Sequence, residues 1–324
     1  MERKNVVVVG SHVQGLFMRV SRFPTADETV LGWGYKEALD GGKGSHQAIA
    51  CARLGLPTYF VGRVGADRLG DQGAQWMSRA GVDLTYLYRS SNTPTGCGFV
   101  MINPQGVPAI VTAMGANEEL TPADVDVAKP ALERAKIVLI TFEIPAPTAL
   151  YAARKAKDFG AITVLTPGPA EPLDRDALAG VDLLIPNETE AKILTGNPVD
   201  VPLPPQELAR KLRDYFGPVK LAITLGEQGA YVVTDEVEQM VPAFAVEEVA
   251  DTAGAGDSFS AGLAYGLLMG GSLTEAVRFG CLTAARAVTM RESIPGFGTL
   301  DEVFAFAAQH GFEIPLQLVR VHGE

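Results

Sequence analysis

Positions 251–260 read DTAGAGDSFS, and a segment of helical character follows them. Ala253, Gly254 and Ala255 carry no bulky side chain, so backbone N–H groups can close around an anion there. The helix that follows would present its positive N-terminal end to the same anion. Asp257 would then lie in the first helical turn, either as a helix cap or as a base beside developing negative charge.

Composition limits the class of protein. The chain has 324 residues, which predicts one large α/β domain with an accessory part, or two domains. The apolar share is 47%, the charged share is 20% and the net charge is −11 without a long run of Lys or Arg. This pattern indicates a globular protein and argues against a nucleic-acid or membrane-surface partner.

Cysteine and histidine usage indicates a cytoplasmic location without zinc. Cys51, Cys97 and Cys281 are far apart and odd in number, which suits a reducing compartment. The four histidines are also scattered, so no zinc-ligand spacing exists. The apolar run Val6–Val9 is too short for a signal segment, and no stretch is long enough to span a membrane.

Short Val/Ile/Leu runs alternate with longer amphipathic stretches along the chain. Most of the runs lack polar alternation, which is typical of strands buried on both faces of a parallel sheet. Strands are predicted at Asn5–Val9, Thr58–Val61, Gly98–Ile102, Ile137–Thr141, Ile162–Leu165, Val181–Ile185, Leu221–Thr224 and Tyr231–Val233. Helices are predicted at Lys43–Leu54, Gly70–Ala80, Thr148–Asp158, Pro205–Tyr215, Gly256–Met269, Leu273–Met290 and Leu300–Gln309. This order predicts a doubly wound α/β fold with a mostly parallel central sheet flanked by helices.

Two segments interrupt that alternation. Residues 12–40 and 92–114 are rich in aromatic and β-branched residues, and the second has the pattern of a hairpin. We expect them to form a small antiparallel β lid, with residues 1–11, 41–91 and 115–324 as the core. An exposed lid face bearing Phe17 or Trp33 would need to be covered by substrate or by a second subunit.

A second motif, DGGKGSHQ, occupies positions 40–47 and opens a predicted helix. The paired glycines Gly41 and Gly42 allow the backbone to approach a polar ligand, and Lys43 can meet hydroxyl or phosphate oxygens. The spacing differs from that of a Walker loop. Taken alone, a glycine-rich turn before a core helix explains the motif equally well.

Polar residues also follow three predicted strands, where open α/β sheets bind ligands. Asn187 and Glu190 are one helical turn apart after Val181–Ile185, so both can face a water-bound Mg²⁺, although an acidic helix N-terminus explains them as well. Glu143 follows the run 137–142 and is either a hydroxyl acceptor or a solvated loop carboxylate. The strand that ends at Thr224 leads into a turn with two glycines, Gly226 and Gly229.

Together these segments resemble the ribokinase-like (PfkB) family of sugar and nucleoside kinases, and its ribokinase branch most closely. The resemblance runs nearly end to end, from the start VVVVGS at positions 6–11 to the 251–262 segment, which carries the most specific family motif. It implies the ribokinase-like fold, a kinase activity that uses ATP with Mg²⁺, a small sugar acceptor, and a homodimer formed through the lid.

The resemblance also implies roles for individual residues. Asp257 would be the catalytic base and residues 253–256 the anion hole, with Gly256 also at the nucleotide. The sugar would face Gly42, Lys43 and Glu143. Asn187 and Glu190 would serve magnesium and phosphate. The nucleotide would contact Thr224, Gly226 and Gly229.

The chain departs from the family pattern at the sugar site. Val13 and Gly15 stand where ribokinases carry Asn and Asp that hold sugar hydroxyls, and His46 stands where Asn is usual. The acceptor therefore stays open between D-ribose and another sugar or sugar acid. Gln14 and His46, with His12, are the candidates for a different set of donors, although His46 can also be a polar residue on a helix surface.

A monovalent-cation site is a further family feature. Asp251 and Ala253 match its first loop, whereas the second loop, residues 291–296, departs from the usual sequence at Arg291 and Glu292. Potassium dependence is therefore left open.

The main hypothesis is ATP-dependent phosphorylation of a primary hydroxyl on a small sugar. A nucleoside kinase of the same fold is the alternative, and it would need an aromatic platform such as Phe17, Trp33 or Phe99. A non-catalytic nucleotide or sugar sensor would not need Asp257. A nicotinamide dehydrogenase is excluded because Gly10 and Gly15 do not fit the G-x-G-x-x-G spacing.

Overall fold

Thirteen strands form two sheets in the computed structural model, which describes residues 5–38 and 41–314. The strands are β1 (Asn5–Val9), β2 (Val13–Val20), β3 (Gly32–Glu37), β4 (Thr58–Gly65), β5 (Asp83–Ser90), β6 (Thr95–Ile102), β7 (Pro108–Gly115), β8 (Ala135–Thr141), β9 (Ile162–Thr166), β10 (Leu183–Leu184), β11 (Lys220–Thr224), β12 (Ala230–Val233) and β13 (Glu238–Val241). The helices of the described residues are α1 (Lys43–Arg53), α2 (Arg68–Arg79), α3 (Pro122–Val127), α4 (Lys129–Leu132), α5 (Ala146–Asp158), α6 (Glu188–Leu194), α7 (Pro205–Phe216), α8 (Ala255–Leu268), α9 (Leu273–Val288), α10 (Ser293–Gly296) and α11 (Leu300–His310).

The larger sheet has nine strands in the order β13-β12-β11-β10-β9-β8-β1-β4-β5. The seven strands from β11 to β5 pair in parallel, and only β12 and β13 add antiparallel edges. The interior position of β1 in the sheet explains why its sequence has no polar alternation. Val6 and Val8 belong to the apolar cluster on one face of the sheet, whereas Val7 and Val9 belong to the cluster on the other face. The prediction of a mostly parallel sheet covered on both faces is confirmed.

The chain reverses its direction of winding between β1 and β8. From β1 it proceeds to β4 and β5 on one side, and β8 then returns to the other side of β1 and continues to β9, β10 and β11. Such a switch point leaves a crevice outside the carboxyl ends of the two strands, and ligands of open α/β sheets bind there. Ser11 follows β1 and Glu143 follows β8, so both lie at this crevice.

The smaller sheet has four strands in the order β3-β2-β6-β7, from residues 13–37 and 95–115. Its outer pairs are antiparallel, as expected, but the central pair of β2 and β6 is parallel because the two strands come from separate excursions of the chain. Its two faces differ. Val13 and Gly15 lie on one face, whereas Tyr35, Phe99 and Val111 lie on the other.

Several elements were not predicted from the sequence. The edge strand β5 is partly exposed and has polar residues, so it lacks the apolar run that marks the inner strands. Val181–Ile185 is shorter than predicted, since only Leu183 and Leu184 pair with β9 and β11. The short helices α3, α4, α6 and α10 have four to seven residues, too few to show a helical period.

Some expectations fall on residues that the structure does not describe. These are the first four residues and residues 315–324 of the predicted core, and positions 39–40 at the end of the predicted lid segment and the start of the second motif. Within the described ranges, every helix is too short or too polar to cross a membrane.

Candidate active site

Residues from four sequence motifs meet at the carboxyl edge of the large sheet. The first contact is between α1 and the end of β1, where glycines let two backbones touch. A Cβ on Gly44 would lie 2.7 Å from the carbonyl carbon of Gly10, and a Cβ on Gly10 would lie 2.8 Å from the Cα of Gly44. Only glycine permits this approach. It sets the start of α1, and therefore Lys43 and His46, directly over the switch point.

Lys43 is surrounded by acidic groups. Burial acts to lower the pKa of its ammonium group, but Asp257, Glu143 and Glu190 together raise the pKa above its usual value. These three carboxylates come from distant parts of the sequence. Lys43 therefore stays charged and offsets part of the repulsion among them.

Glu143 is fixed through one carboxylate oxygen. Its Oε2 accepts a hydrogen bond from the hydroxyl of Ser11 and another, of 2.7 Å, from the backbone N–H of Lys43. Burial raises the pKa of Glu143, while the charge of Lys43 and these two hydrogen bonds act to lower it. This arrangement leaves Oε1 as the oxygen that can accept a hydrogen bond from a hydroxyl group of a ligand.

Asp257 lies in the first turn of α8 and is only 8% exposed. Its Oδ2 is 3.1 Å from Nδ1 of His46, and its Oδ1 accepts a hydrogen bond of 3.1 Å from the side-chain amide of Gln47. Gln47 also donates to the hydroxyl of Thr166 at 3.0 Å. Asp257 makes no capping hydrogen bond to its own helix, where Gly254 is the N-cap residue.

The loop before α8 is partly exposed to solvent, whereas Asp257 in the first turn of the helix is buried. Gly254 has φ of +75°, and a Cβ there would lie 2.8 Å from that of Ser293, so both conformation and space demand glycine. The N–H of Ala253 donates to Oδ1 of Asp251 at 3.0 Å, and the N–H of Ala255 makes a long bond to the carbonyl of Thr252. Within the described part of the chain, the N–H groups of Gly254 and Gly256 have no such partner. These two amides can bind an anion.

Asn187 and Glu190 form a capping box at the start of α6. Asn187 Oδ1 accepts from the N–H of Glu190 at 2.8 Å, and Glu190 Oε2 accepts from the N–H of Asn187 at 2.9 Å. The other carboxylate oxygen of Glu190 lies beside Gly168, where a Cβ would be 2.5 Å from Oε1 and 3.1 Å from Nζ of Lys43. Glu190 thus caps its helix and still directs one oxygen toward Lys43. Over the described ranges, no cluster of three His, Cys, Asp or Glu side chains forms a ready-made metal site.

Thr224 lies next to Asn187, because an isolated parallel bridge joins the two residues. The turn that follows begins with Gly226, at φ of +57°, where a Cβ would meet no atom within 4 Å. Gly229 differs, since a Cβ there would lie 2.5 Å from the N of Ala243. Close packing explains Gly229 by itself, whereas the surface at Gly226 is open to a ligand.

The candidate sugar donors fall in different places. Gln14 lies on the opposite face of β2 from Val13, and its amide donates to the carbonyl of Ala38 at 2.9 Å. His12 has Nδ1 3.1 Å from the hydroxyl of Ser45, and its ring packs against Gly73 of α2. Neither His12 nor Gln14 is brought to Asp257, whereas His46 is.

The second candidate cation loop also has an unexpected contact. Glu292 adopts φ of +68°, and its carboxylate pairs with Lys36 of β3. Its N–H lies 3.3 Å from Oδ2 of Asp251. The two candidate cation loops are therefore adjacent, and one of them is tied to the small sheet.

Four residues of the site were not singled out from the sequence. Ser11 and Gln47 lie inside the quoted motifs, but neither motif indicates which distant side chain the residue contacts. Thr166 is the last residue of β9 and Gly168 follows that strand, and only their position after the predicted strand Ile162–Leu165 could have suggested them.

A buried carboxylate held beside open backbone amides suits transfer of an anionic group to a polar acceptor. Residues 3–297 match the family described as pfkB family carbohydrate kinase, so by class the molecule is a phosphotransferase that acts on small molecules. The chain belongs to this family.

Individual relatives agree. The ribokinase of Staphylococcus aureus (strain COL) is 33% identical over 302 residues, which cover 92% of this chain and 98% of that protein. The deoxyribokinase of Salmonella typhi is 31% identical over 299 residues, covering 92% and 97%. The structure of Arabidopsis thaliana ribokinase complexed with ribose and ATP superposes with a TM-score of 0.84 at 29% identity, covering 94% and 99%. The prediction of a ribokinase-like carbohydrate kinase is confirmed.

Proposed function

We propose that the protein transfers the γ-phosphoryl group of ATP to the primary hydroxyl of a small sugar, with D-ribose as the first acceptor to test. The observation that carries this proposal is the placement of Asp257, a buried carboxylate next to the open N–H groups of Gly254 and Gly256. The similarity to the Arabidopsis ribokinase complexed with ribose and ATP supports it.

In the proposed reaction Asp257 accepts the hydroxyl proton as the sugar oxygen attacks the γ-phosphorus in line, and ADP leaves. The N–H groups of Gly254 and Gly256, with the positive end of α8, stabilise the charge on the transferring group. Of the residues expected in the anion hole, Ala253 and Ala255 shape the loop, because their own N–H groups have protein acceptors.

The acceptor would lie against Gly42, Lys43 and Glu143. Oε1 of Glu143 can accept a sugar hydroxyl, and the ammonium of Lys43 can donate to another. Val13 and Gly15 offer no hydrogen bond from the face of β2 that they share. Because a relative is named deoxyribokinase, 2-deoxyribose belongs beside ribose among the acceptors to test.

The nucleotide would extend from α8 toward Thr224 and Gly226, with Gly229 holding the turn in place. Magnesium would enter with the nucleotide and be held through water by Glu190 and Asn187, and it would neutralise phosphate charge. The fit rests on Glu190 Oε1, which faces the site. A potassium ion would be held near Asp251 and Ala253.

The small sheet is proposed to act as a lid over the sugar and to form a homodimer through its outer face. Tyr35, Phe99 and Val111 share that face and are 62%, 44% and 66% exposed. A second copy of this chain would cover them. Sedimentation equilibrium would test this, with a dimer expected for wild type and a monomer for Val111→Glu; wild-type monomers at micromolar concentration would refute it.

A cytoplasmic location is proposed for the protein, together with its kinase activity. Cys51 and Cys281 are buried and Cys97 is partly buried, and none of the three forms a disulfide. Burial raises the pKa of Cys281 to about 12, so its thiol stays protonated. These are properties of a protein kept in a reducing compartment.

A coupled ADP-release screen would test the activity. The acceptors are ribose, 2-deoxyribose, fructose, ketosugar acids, polyols and nucleosides, each with and without potassium. We expect turnover on at least one free sugar, with ³¹P NMR showing a phosphomonoester on its primary hydroxyl. A preference for nucleosides would indicate the nucleoside kinase instead. Tight ATP binding without turnover on any acceptor would refute the kinase and favour a sensor.

A further inference from the structure

The ring of His46 has a defined protonation pattern. The backbone N–H of Gly41 donates to Nε2 at 2.8 Å, so Nε2 is an acceptor. Nδ1 then carries the proton of the neutral ring, and it lies 3.1 Å from Oδ2 of Asp257. The resulting chain runs from the Gly41 amide through the imidazole to the proposed catalytic carboxylate.

The orientation of this ring is fixed by its surroundings. His46 is 6% exposed, and its ring packs edge-on against Phe297 with centroids 5.4 Å apart and planes at 73°. Phe297 is itself 1% exposed, so the ring cannot swing toward solvent without opening the core.

The next residue on α1 holds the other carboxylate oxygen. Gln47 donates to Oδ1 of Asp257 and to the hydroxyl of Thr166, and Thr166 in turn donates to the carbonyl of Ile140 in β8. Asp257 therefore has one donor on each oxygen, and one of these donors is anchored to the central sheet. A carboxylate held at both oxygens cannot rotate freely about its side-chain bonds.

We propose that His46 is a positioning residue for Asp257, and that it affects the rate of phosphoryl transfer rather than sugar affinity. The inference rests on the proposed function, in which Asp257 is the base. A base must point at the acceptor hydroxyl when the phosphoryl group arrives, and a displacement of about 1 Å can cost about a hundredfold in rate. His46 supplies this alignment through Nδ1.

Substitution of His46 separates this role from direct sugar binding. In His46→Asn the side-chain amide nitrogen occupies nearly the place of Nδ1, so the donor to Asp257 is retained. His46→Phe keeps a ring against Phe297 but has no donor. His46→Gln extends its amide toward the position of Nε2 and away from Asp257. Only the first variant should rescue the alignment.

Steady-state kinetics with the best sugar of the screen would measure the effect. We expect His46→Phe and His46→Gln to lower kcat by about 10- to 100-fold with the KM values for sugar and ATP within about threefold. His46→Asn should stay within about fivefold of wild type. His310→Asn, on α11, is the matched control for loss of a histidine and should leave kcat unchanged. A raised sugar KM with retained kcat, or equal damage from all three His46 variants, would overturn the proposal.

A second measurement does not depend on turnover. The chain has four histidines, so long-range ¹H–¹⁵N NMR can assign each ring, with His46→Asn and His310→Asn identifying two of them. We expect His46 to be protonated at Nδ1 in the wild type and to change its tautomer balance in Asp257→Ala. A His46 ring protonated only at Nε2 would contradict the inference even if the kinase is active. If His46 shows the expected tautomer but the protein has no kinase activity, only the proposed function is refuted.

Discussion

Ser11 and Glu143 are joined by a hydrogen bond from the serine hydroxyl to the carboxylate Oε2, across the point where the sheet reverses its winding. The two residues follow β1 and β8, which are neighbours in the sheet although the residues are 132 positions apart in the chain. Because Ser11 and the N–H of Lys43 both bind Oε2, Oε1 is the oxygen of Glu143 that can accept a hydrogen bond from a ligand. The crevice between the two strands thereby becomes a site with a defined acceptor.

This contact predicts that Ser11 and Glu143 act as a unit. Glu143→Gln should raise the KM for sugar by about 10- to 100-fold, since a charged acceptor contributes about 1.5–3 kcal/mol to a hydrogen bond. Ser11→Ala should raise it less, because the N–H of Lys43 still holds Oε2. The double variant should be little worse than Glu143→Gln alone. Fully additive effects in this double-mutant cycle would show that the two residues act independently.

Asp257→Asn should lower kcat by at least about a hundredfold, because general-base help contributes about 10²–10⁴ in rate. The hydrogen bonds of His46 and Gln47 to the side chain can be partly retained, so ATP affinity by isothermal titration calorimetry should change little. Asp214→Asn, an exposed aspartate paired with Arg210 on α7, is the control for loss of charge. Turnover of Asp257→Asn within tenfold of wild type would remove Asp257 from the role of base.

Lys43→Met should move the acid limb of kcat/KM to higher pH. Burial raises the pKa of Glu143, and the ammonium of Lys43 acts to lower it, so removing that charge should raise the Glu143 pKa further. In the proposed site, sugar binding needs the ionised carboxylate of Glu143. Activity is therefore lost as the pH falls through the Glu143 pKa, and the loss should begin at higher pH in the variant. The shape of the pH profile tests this, whatever the absolute rate.

Lys211→Met on α7, where the lysine pairs with Glu207 at the surface, is the control and should leave the profile unshifted. An acid limb that stays in place or moves to lower pH in Lys43→Met would show that Lys43 does not set the ionisation of Glu143.

Gly44→Ala should destabilise the fold by about 1–3 kcal/mol, the usual cost of overpacking, because the new Cβ would overlap the backbone of Gly10 and Ser11. Gly256→Ala is the matched control for stability, since a Cβ there meets no atom within 4 Å and alanine favours a helix by about 0.5–1 kcal/mol. Urea unfolding would measure both free energies. Equal stability of the two variants would mean that α1 and β1 can separate without cost.

The sequence alone determined the elements that depend on local pattern. The apolar runs of β1, β8 and β11 predicted strands buried on both faces, and the small residues before Asp257 predicted a turn that opens a helix. The polar residues after the strands were correctly expected at one edge of the sheet, because parallel strands end on the same side. The capping box at Asn187 was also visible as an acidic helix start.

The tertiary structure decided which side chains meet. His46 and Gln47 reach Asp257 across more than 200 positions of sequence, and Gly168 lies between Lys43 and Glu190, although no local pattern links these residues. The parallel pairing of β2 with β6 and the weak edge strand β5 were likewise set by neighbours in space. The physical reason is that periodicity and turn chemistry act over a few residues, whereas hydrogen bonds between distant groups form only after the sheet and helices have packed.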